Sequence, residues 1–151
     1  MQENCIRYLG IYIDSNISWK SHINYIAKKI KRSIDIRSKL RYFLNIKILL
    51  SLHYTLVEPF FNNCVIAWGN AYQSTLQPLS NLQKKAIRII TFSSFTEHSS
   101  PLFKDLNIVK LADVITFQLT CSVYAHMSNI HKRIWFVKPM VHWYQWYDWY
   151  Q

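Results

Sequence analysis

The chain opens on one period and changes to another. Residues 5–13 alternate imperfectly between apolar and polar positions, which predicts a single β-strand, and Gly10 within it marks a bulge or a close approach of another backbone or a ligand. Asp14-Ser15-Asn16 reads as a turn and Ser18 as a helix N-cap. Ile23, Ile26, Ile30, Ile34 and Leu40 then recur near one face, predicting a helix over 19–44 with Lys and Arg around much of the rest. Asn45 stops that helix and caps the next, which carries Ile48, Leu49, Leu52, Leu56 and Val57 up to Glu58-Pro59. A third segment over 60–68 ends at Gly69-Asn70, read as a C-terminal stop, and a loop follows through Tyr72-Gln73-Ser74. The fourth helix, 76–91, turns Leu79, Leu82, Ala86, Ile89 and Ile90 inward and Lys84, Lys85 and Arg88 outward. A polar loop over 93–100 and a helical turn over 101–106 lead to a fifth helix over 110–127, with Leu111, Val114, Ile115, Leu119 and Ser122 as its buried positions. The expected fold is mainly α, a helical bundle preceded by one short orphan β-strand or hairpin. A strand beginning so close to Met1 is expected to need a partner, and its free edge to lower solubility or recruit one.

The last stretch breaks the pattern. Trp143, Trp146 and Trp149 each precede a Tyr, a period of three that fits neither a helix face nor a strand face. Residues 128–151 read as a biased aromatic tail, disordered or non-native.

Charge sharpens the picture of the long helix. Lysines and arginines number 18 against 8 acids, a formal net charge of +10, and a balance this basic favours a polyanionic partner. Between 28 and 47, eight cations (Lys28, Lys29, Lys31, Arg32, Arg37, Lys39, Arg41 and Lys47) face a single acid, Asp35. Other chemistry is thinly represented. Cys5, Cys64 and Cys121 are too scattered for a disulfide framework or a zinc motif and read as free, mostly buried thiols. The six histidines include no pair at the four-residue helical spacing of zinc sites, and His22 reads as a first-turn surface residue. Neither a nucleophile elbow nor a glycine-rich phosphate loop is present, and the apolar stretch 46–68 is interrupted by Lys47, His53 and Glu58, a poor membrane span. No secretory signal is visible, so an intracellular setting, nuclear or cytoplasmic, is expected.

Smaller signatures occur in an order that carries a resemblance. They are Tyr8-Leu9-Gly10, Asp14, Ser18-Trp19, His22-Ile23, Ile26, Ser38-Lys39-Leu40-Arg41, Tyr54, Leu56-Val57, Pro59, Asn62-Asn63-Cys64 and Trp68-Gly69. Leu79, the run from Leu82 to Thr91, Pro101-Leu102-Phe103, Leu106 and Leu111 continue them. Together, over residues 5 to about 127, they resemble the region after the polymerase palm in LINE-type (non-LTR) retrotransposon reverse transcriptases, especially the jockey-like group. The resemblance implies that residues 1–14 end a palm and that Tyr8, Leu9 and Gly10 belong to a primer grip. Residues 15–127 would form the helical thumb and post-thumb region that holds an RNA·DNA template–primer duplex. Glycine lets a backbone approach nucleic acid closely, and a basic helix beside it neutralises phosphates without reading sequence.

The candidate nucleic-acid-binding residues are Lys28, Lys31, Arg32, Lys39, Lys84, Lys85 and Arg88. Trp19 and Trp68 read as core or boundary residues rather than base-stacking platforms. The family's catalytic step uses paired aspartates holding magnesium, and no Asp-Asp pair occurs in this sequence. The expectation is therefore a truncated, non-catalytic piece of an RNA-directed DNA polymerase, with no catalytic residue, metal site or cofactor of its own and lacking the palm and fingers it would partner. The alternative is a small basic helical module for a protein partner or an anionic membrane surface.

Overall fold

The computed structural model describes residues 5–94 and 96–127; the aromatic tail expected over 128–151 lies outside the described residues. The fold is mainly helical, as expected, but its opening differs. The one predicted strand is two, β1 (Cys5–Tyr8) and β2 (Ile11–Asp14), paired antiparallel with Tyr8 opposite Ile11 and Cys5 opposite Asp14. Leu9 (φ 46°) and Gly10 (φ 87°) form the two-residue turn between them. Both lie in the left-handed region, which gives the turn the twist that paired strands need. Gly10 is thus a turn glycine rather than a bulge, and the strand is not orphaned. A leucine at the first turn position hid the break between the two strands, because the strong sequence signal is an asparagine or aspartate there.

The connection to the first helix is tied by Asp14, 6% exposed. Its carboxylate accepts from the Ser18 amide and from the Ser18 hydroxyl, both at 2.6 Å. Ser18 is held by this cap-like loop and is not itself the N-cap. That position falls to Trp19, left-handed at φ 63°, ahead of α1 (Lys20–Leu40). The helix is shorter than the predicted 19–44. Its buried stripe is Ile23, Ile26, Ile30 and Ile34 extended by His22 and Arg37, while Leu40 is exposed.

The next helix, α2 (Ile46–Leu56), is capped as expected, with the Asn45 side chain accepting from the Ile48 amide at 2.9 Å. The segment predicted over 60–68 is two short helices, α3 (Glu58–Asn62) and α4 (Val65–Trp68), because Cys64 between them turns left-handed at φ 52°. Gly69 follows with an ordinary φ of −65°, so it is not a left-handed stop. Space is what it supplies: a Cβ there would sit 2.5 Å from the Val65 carbonyl oxygen and 2.9 Å from Ile115 Cγ2.

The remaining helices are α5 (Gln73–Ile90), α6 (Ser99–Asp105) and α7 (Leu111–Met127). The loop read at Tyr72-Gln73-Ser74 is thus largely the first turn of α5. The main core joins the isoleucine stripe of α1 to Phe61, Trp68, Leu79, Ala86, Ile89 and Leu111. A second cluster sets Ile87 against Leu102, Phe103 and Ile108. Gln83, 2% exposed, bridges α5 to the start of α7: its amide donates to the Val109 carbonyl and its oxygen accepts from the Leu111 amide, both at 2.9 Å. The C-terminal half of α7 is less buried than predicted, with Ser122 exposed. The thiols also depart from expectation, since Cys5 and Cys121 are exposed and Cys64 half-buried.

Candidate nucleic-acid interface

The hairpin projects from the N-terminal end of α1. Tyr8 and Leu9 are 63% and 78% exposed, and Ile6 beside them is exposed as well. Tyr8, Leu9 and Gly10 therefore form an accessible tip. The other face of the hairpin docks on α1 through Tyr12, whose ring centroid is 4.9 Å from that of Tyr25. Arg7 stands 5.8 Å from the Tyr12 ring centroid and Lys29 stands 5.6 Å from that of Tyr25. The result is a ladder, Arg7·Tyr12·Tyr25·Lys29, running from hairpin to helix with a cation at each end. Each cation is attracted to the face of the ring it lies over. Arg7 is a basic residue that the sequence reading passed over, because an isolated arginine in a strand shows no charge run.

Along α1, Lys28, Arg32 and Lys39 are all exposed on the side opposite the isoleucine stripe. Their spacing of four and seven residues puts them on one line spanning roughly 16 Å. Lys31 is exposed beside that line, and Asp35 lies on it between Arg32 and Lys39. Asp35 pairs with Lys85 of α5 at 3.9 Å, both side chains substantially exposed, a link worth little in stability. Lys84 is half-buried. Arg88 is engaged elsewhere: its Nε and Nη2 donate to the Glu97 carbonyl at 3.1 and 2.8 Å, holding the loop after α5. The structure thus brings Lys28, Arg32 and Lys39 together on one line and ties Lys85 and Arg88 into the packing of α5. Trp68 is fully buried and donates from Nε1 to the Asn63 carbonyl at 2.9 Å, and Trp19 packs partly buried against the same core.

Three Drosophila melanogaster proteins align with almost all of this sequence. A probable RNA-directed DNA polymerase from transposon X-element is 23% identical over 140 residues, covering 88% of the chain and 14% of that protein. A second, from transposon BS, is 24% identical over 148 residues, covering 92% of the chain and 16% of the relative. The RNA-directed DNA polymerase from mobile element jockey is 24% identical over 128 residues, covering 83% and 14%. The chain is a relative of mobile-element RNA-directed DNA polymerases. It spans about one-seventh of the length of these curated relatives. No family model and no solved structure matches it.

In this polymerase relative the base of the candidate interface rests on buried polar groups, one of them expected at the surface. His22 is 1% exposed rather than a surface residue. Its Nδ1 accepts from the Tyr12 amide at 3.4 Å, and its ring lies edge-on to Trp19 and Trp68. Arg37, one of the eight cations of the 28–47 run, is 1% exposed; burial lowers its pKa to about 10, so it stays protonated at neutral pH. Its Nε donates to the Ser33 carbonyl at 3.3 Å and its Nη1 to His53 Nδ1 at 3.2 Å, the direction an arginine requires. His53 Nε2 in turn lies 3.6 Å from Glu58 Oε2, close enough for charge attraction and beyond direct hydrogen-bond reach. A neutral imidazole therefore sits between a buried cation and a largely buried anion, joining α1, α2 and α3.

Burial lowers the pKa of both His22 and His53; at His53 the carboxylate of Glu58 opposes the shift and the Arg37 charge adds to it. In the unfolded chain the imidazoles protonate near 6.5, so below that pH the unfolded state binds more protons than the folded one. Stability contributed by the neutral imidazoles is complete above 6.5 and is lost as the pH falls through and below it. The thermal midpoint should drop between pH about 7.5 and about 5.5, with the drop reduced in His53→Gln. An unchanged or rising midpoint would contradict the buried neutral histidines.

Proposed function

We propose that the chain is a non-catalytic segment of a mobile-element RNA-directed DNA polymerase, with residues 1–14 as the end of the palm and 15–127 as the thumb and post-thumb region holding a template–primer duplex. The observation that carries this reading is the line Lys28–Arg32–Lys39, joined by the cation–aromatic ladder to an exposed hairpin tip. Cations aligned along one side of a helix neutralise phosphates along a backbone without reading bases. Tyr8, Leu9 and Gly10 at the tip are the groups that would lie nearest the primer end. The exposed Ile6 and the free edge of β1 are where the rest of a polymerase body would pack. Lys31 widens the positive surface, while Lys84, Lys85 and Arg88 contribute field from α5 more than direct contact.

What supports the non-catalytic reading is the acids: no Asp-Asp pair occurs in the sequence, and Asp14 and Asp35 are engaged by Ser18 and Lys85. The residues present do not fit the magnesium ions of the family's reaction, so no polymerisation step is assigned to them.

Titration of the full chain with a primed RNA·DNA duplex over a range of salt tests the interface. Affinity should fall steeply with salt, and Lys28→Ala/Arg32→Ala/Lys39→Ala should flatten the log–log slope by about three. A variant with the wild-type slope would remove α1 from the interface.

A further inference from the structure

A second surface lies at the opposite end of α1 from the hairpin. The turn after α1 carries Arg41, Tyr42 and Phe43, and Phe92, two residues beyond the end of α5, lies beside it. The Arg41 guanidinium carbon is 4.8 Å from the Phe92 ring centroid and 5.6 Å from that of Tyr42, so two rings flank one cationic plane. Arg41 Nε is buried and makes no hydrogen bond among the described residues. The rings themselves are open: Tyr42 is 79% exposed and Phe92 47%. Phe92 is held out by a left-handed backbone, φ 58°, a conformation that side chains rarely adopt. Lys39 and Lys47 flank the turn, and no Asp or Glu occurs between Asp35 and Glu58.

We infer that this patch stacks the unpaired bases of a single-stranded nucleic acid. The inference rests on the nucleic-acid reading above and goes beyond it, because the line on α1 holds backbone while the patch holds base faces. Aromatic rings and a guanidinium plane gain from a flat π-system, and bases offer their faces only when they are not stacked within a duplex. The charge around the patch suits a polyanion, and the flat, cation-bearing rings distinguish it from an apolar docking groove. Lys39 stands at the end of the α1 line nearest the patch, so a strand leaving the duplex would pass from phosphate contacts to stacking.

The test uses the full chain, a single-stranded oligonucleotide carrying 2-aminopurine, and a blunt RNA·DNA duplex of the same length. Tyr42→Ala/Phe92→Ala should weaken single-strand binding about tenfold or more and abolish the fluorescence change on stacking, with blunt-duplex affinity unchanged. Tyr42→Phe, which keeps the ring, should bind as wild type and guards against a folding defect. Single-strand binding that survives loss of both rings would overturn the inference, as would equal losses on both ligands. If wild type binds no duplex yet still quenches the single strand, the duplex reading fails and the patch stands.

Discussion

Alanine at Arg37 should lower the free energy of unfolding by about 3–5 kcal/mol, the cost of breaking a buried charge pairing from one side. The guanidinium is 1% exposed and is held by the Ser33 carbonyl and His53 Nδ1, so its removal leaves an emptied volume and an unpaired imidazole nitrogen. It also strips the Glu58 carboxylate of the cation it faces through His53. Burial still lowers the pKa of the imidazole, but without the Arg37 charge that adds to that shift it should protonate more readily and pair with Glu58, recovering part of the loss below neutral pH. Arg37→Met combined with Glu58→Gln removes both charges at similar volume and should be closer to wild type than either single change. Denaturant unfolding of wild type, Arg37→Ala, Arg37→Met, Glu58→Gln and the double variant measures this. A single Arg37→Ala loss below about 1 kcal/mol, the value for an exposed cation, would mean that the relay does not hold α1, α2 and α3 together.

Asp14→Ala should destabilise the chain by about 3 kcal/mol, from two short hydrogen bonds to a charged acceptor at about 1.5 kcal/mol or more each. The carboxylate satisfies both the amide and the hydroxyl of Ser18, and the flanking Ile17 and Trp19 are left-handed at φ 51° and 63°. A β-branched residue in that region is strained, so the loop keeps its path only while Asp14 holds it. The consequence reaches function, because this loop sets the hairpin against α1 and with it the ladder from Arg7 to Lys29. Asp14→Asn keeps one acceptor and should lose roughly half as much. Denaturant unfolding gives the energies, and Tyr12–Tyr25 proximity by nuclear Overhauser effects should weaken in Asp14→Ala. Retained stability together with unchanged proximity would show that packing of Tyr12 alone orients the hairpin.

What the sequence made legible was set by periodicity. Ile23, Ile26, Ile30 and Ile34 announce their helix because isoleucine has one reason to recur at three and four residues, and the Asn45 cap is equally plain. The burial of Arg37 and His22 was hidden because they sit inside a basic run and at a helix start, where charged and polar side chains usually face water; only the third dimension brings His53 and Tyr12 to them. The division of residues 5–13 into two strands was missed through Leu9, and the split of the 60–68 segment through Cys64, both left-handed residues whose types do not advertise that conformation. Lys28, Arg32 and Lys39 were candidates through the charge run, but the line they form shows only once the buried stripe of α1 fixes which side is outward. Arg7, Tyr12, Tyr25 and Lys29 converge from two elements whose docking no local pattern encodes.

The most direct test of the duplex-holding role is a competition. The full chain, bound to a fluorescent primed RNA·DNA duplex at moderate salt, is challenged with unlabelled duplex and, separately, with anionic phospholipid vesicles at equal negative charge. The duplex should displace the probe and the vesicles should not, because cations in one line on a rigid helix match a fixed phosphate spacing better than a fluid headgroup surface. Displacement by vesicles in preference to duplex would contradict the account and favour a membrane-surface module.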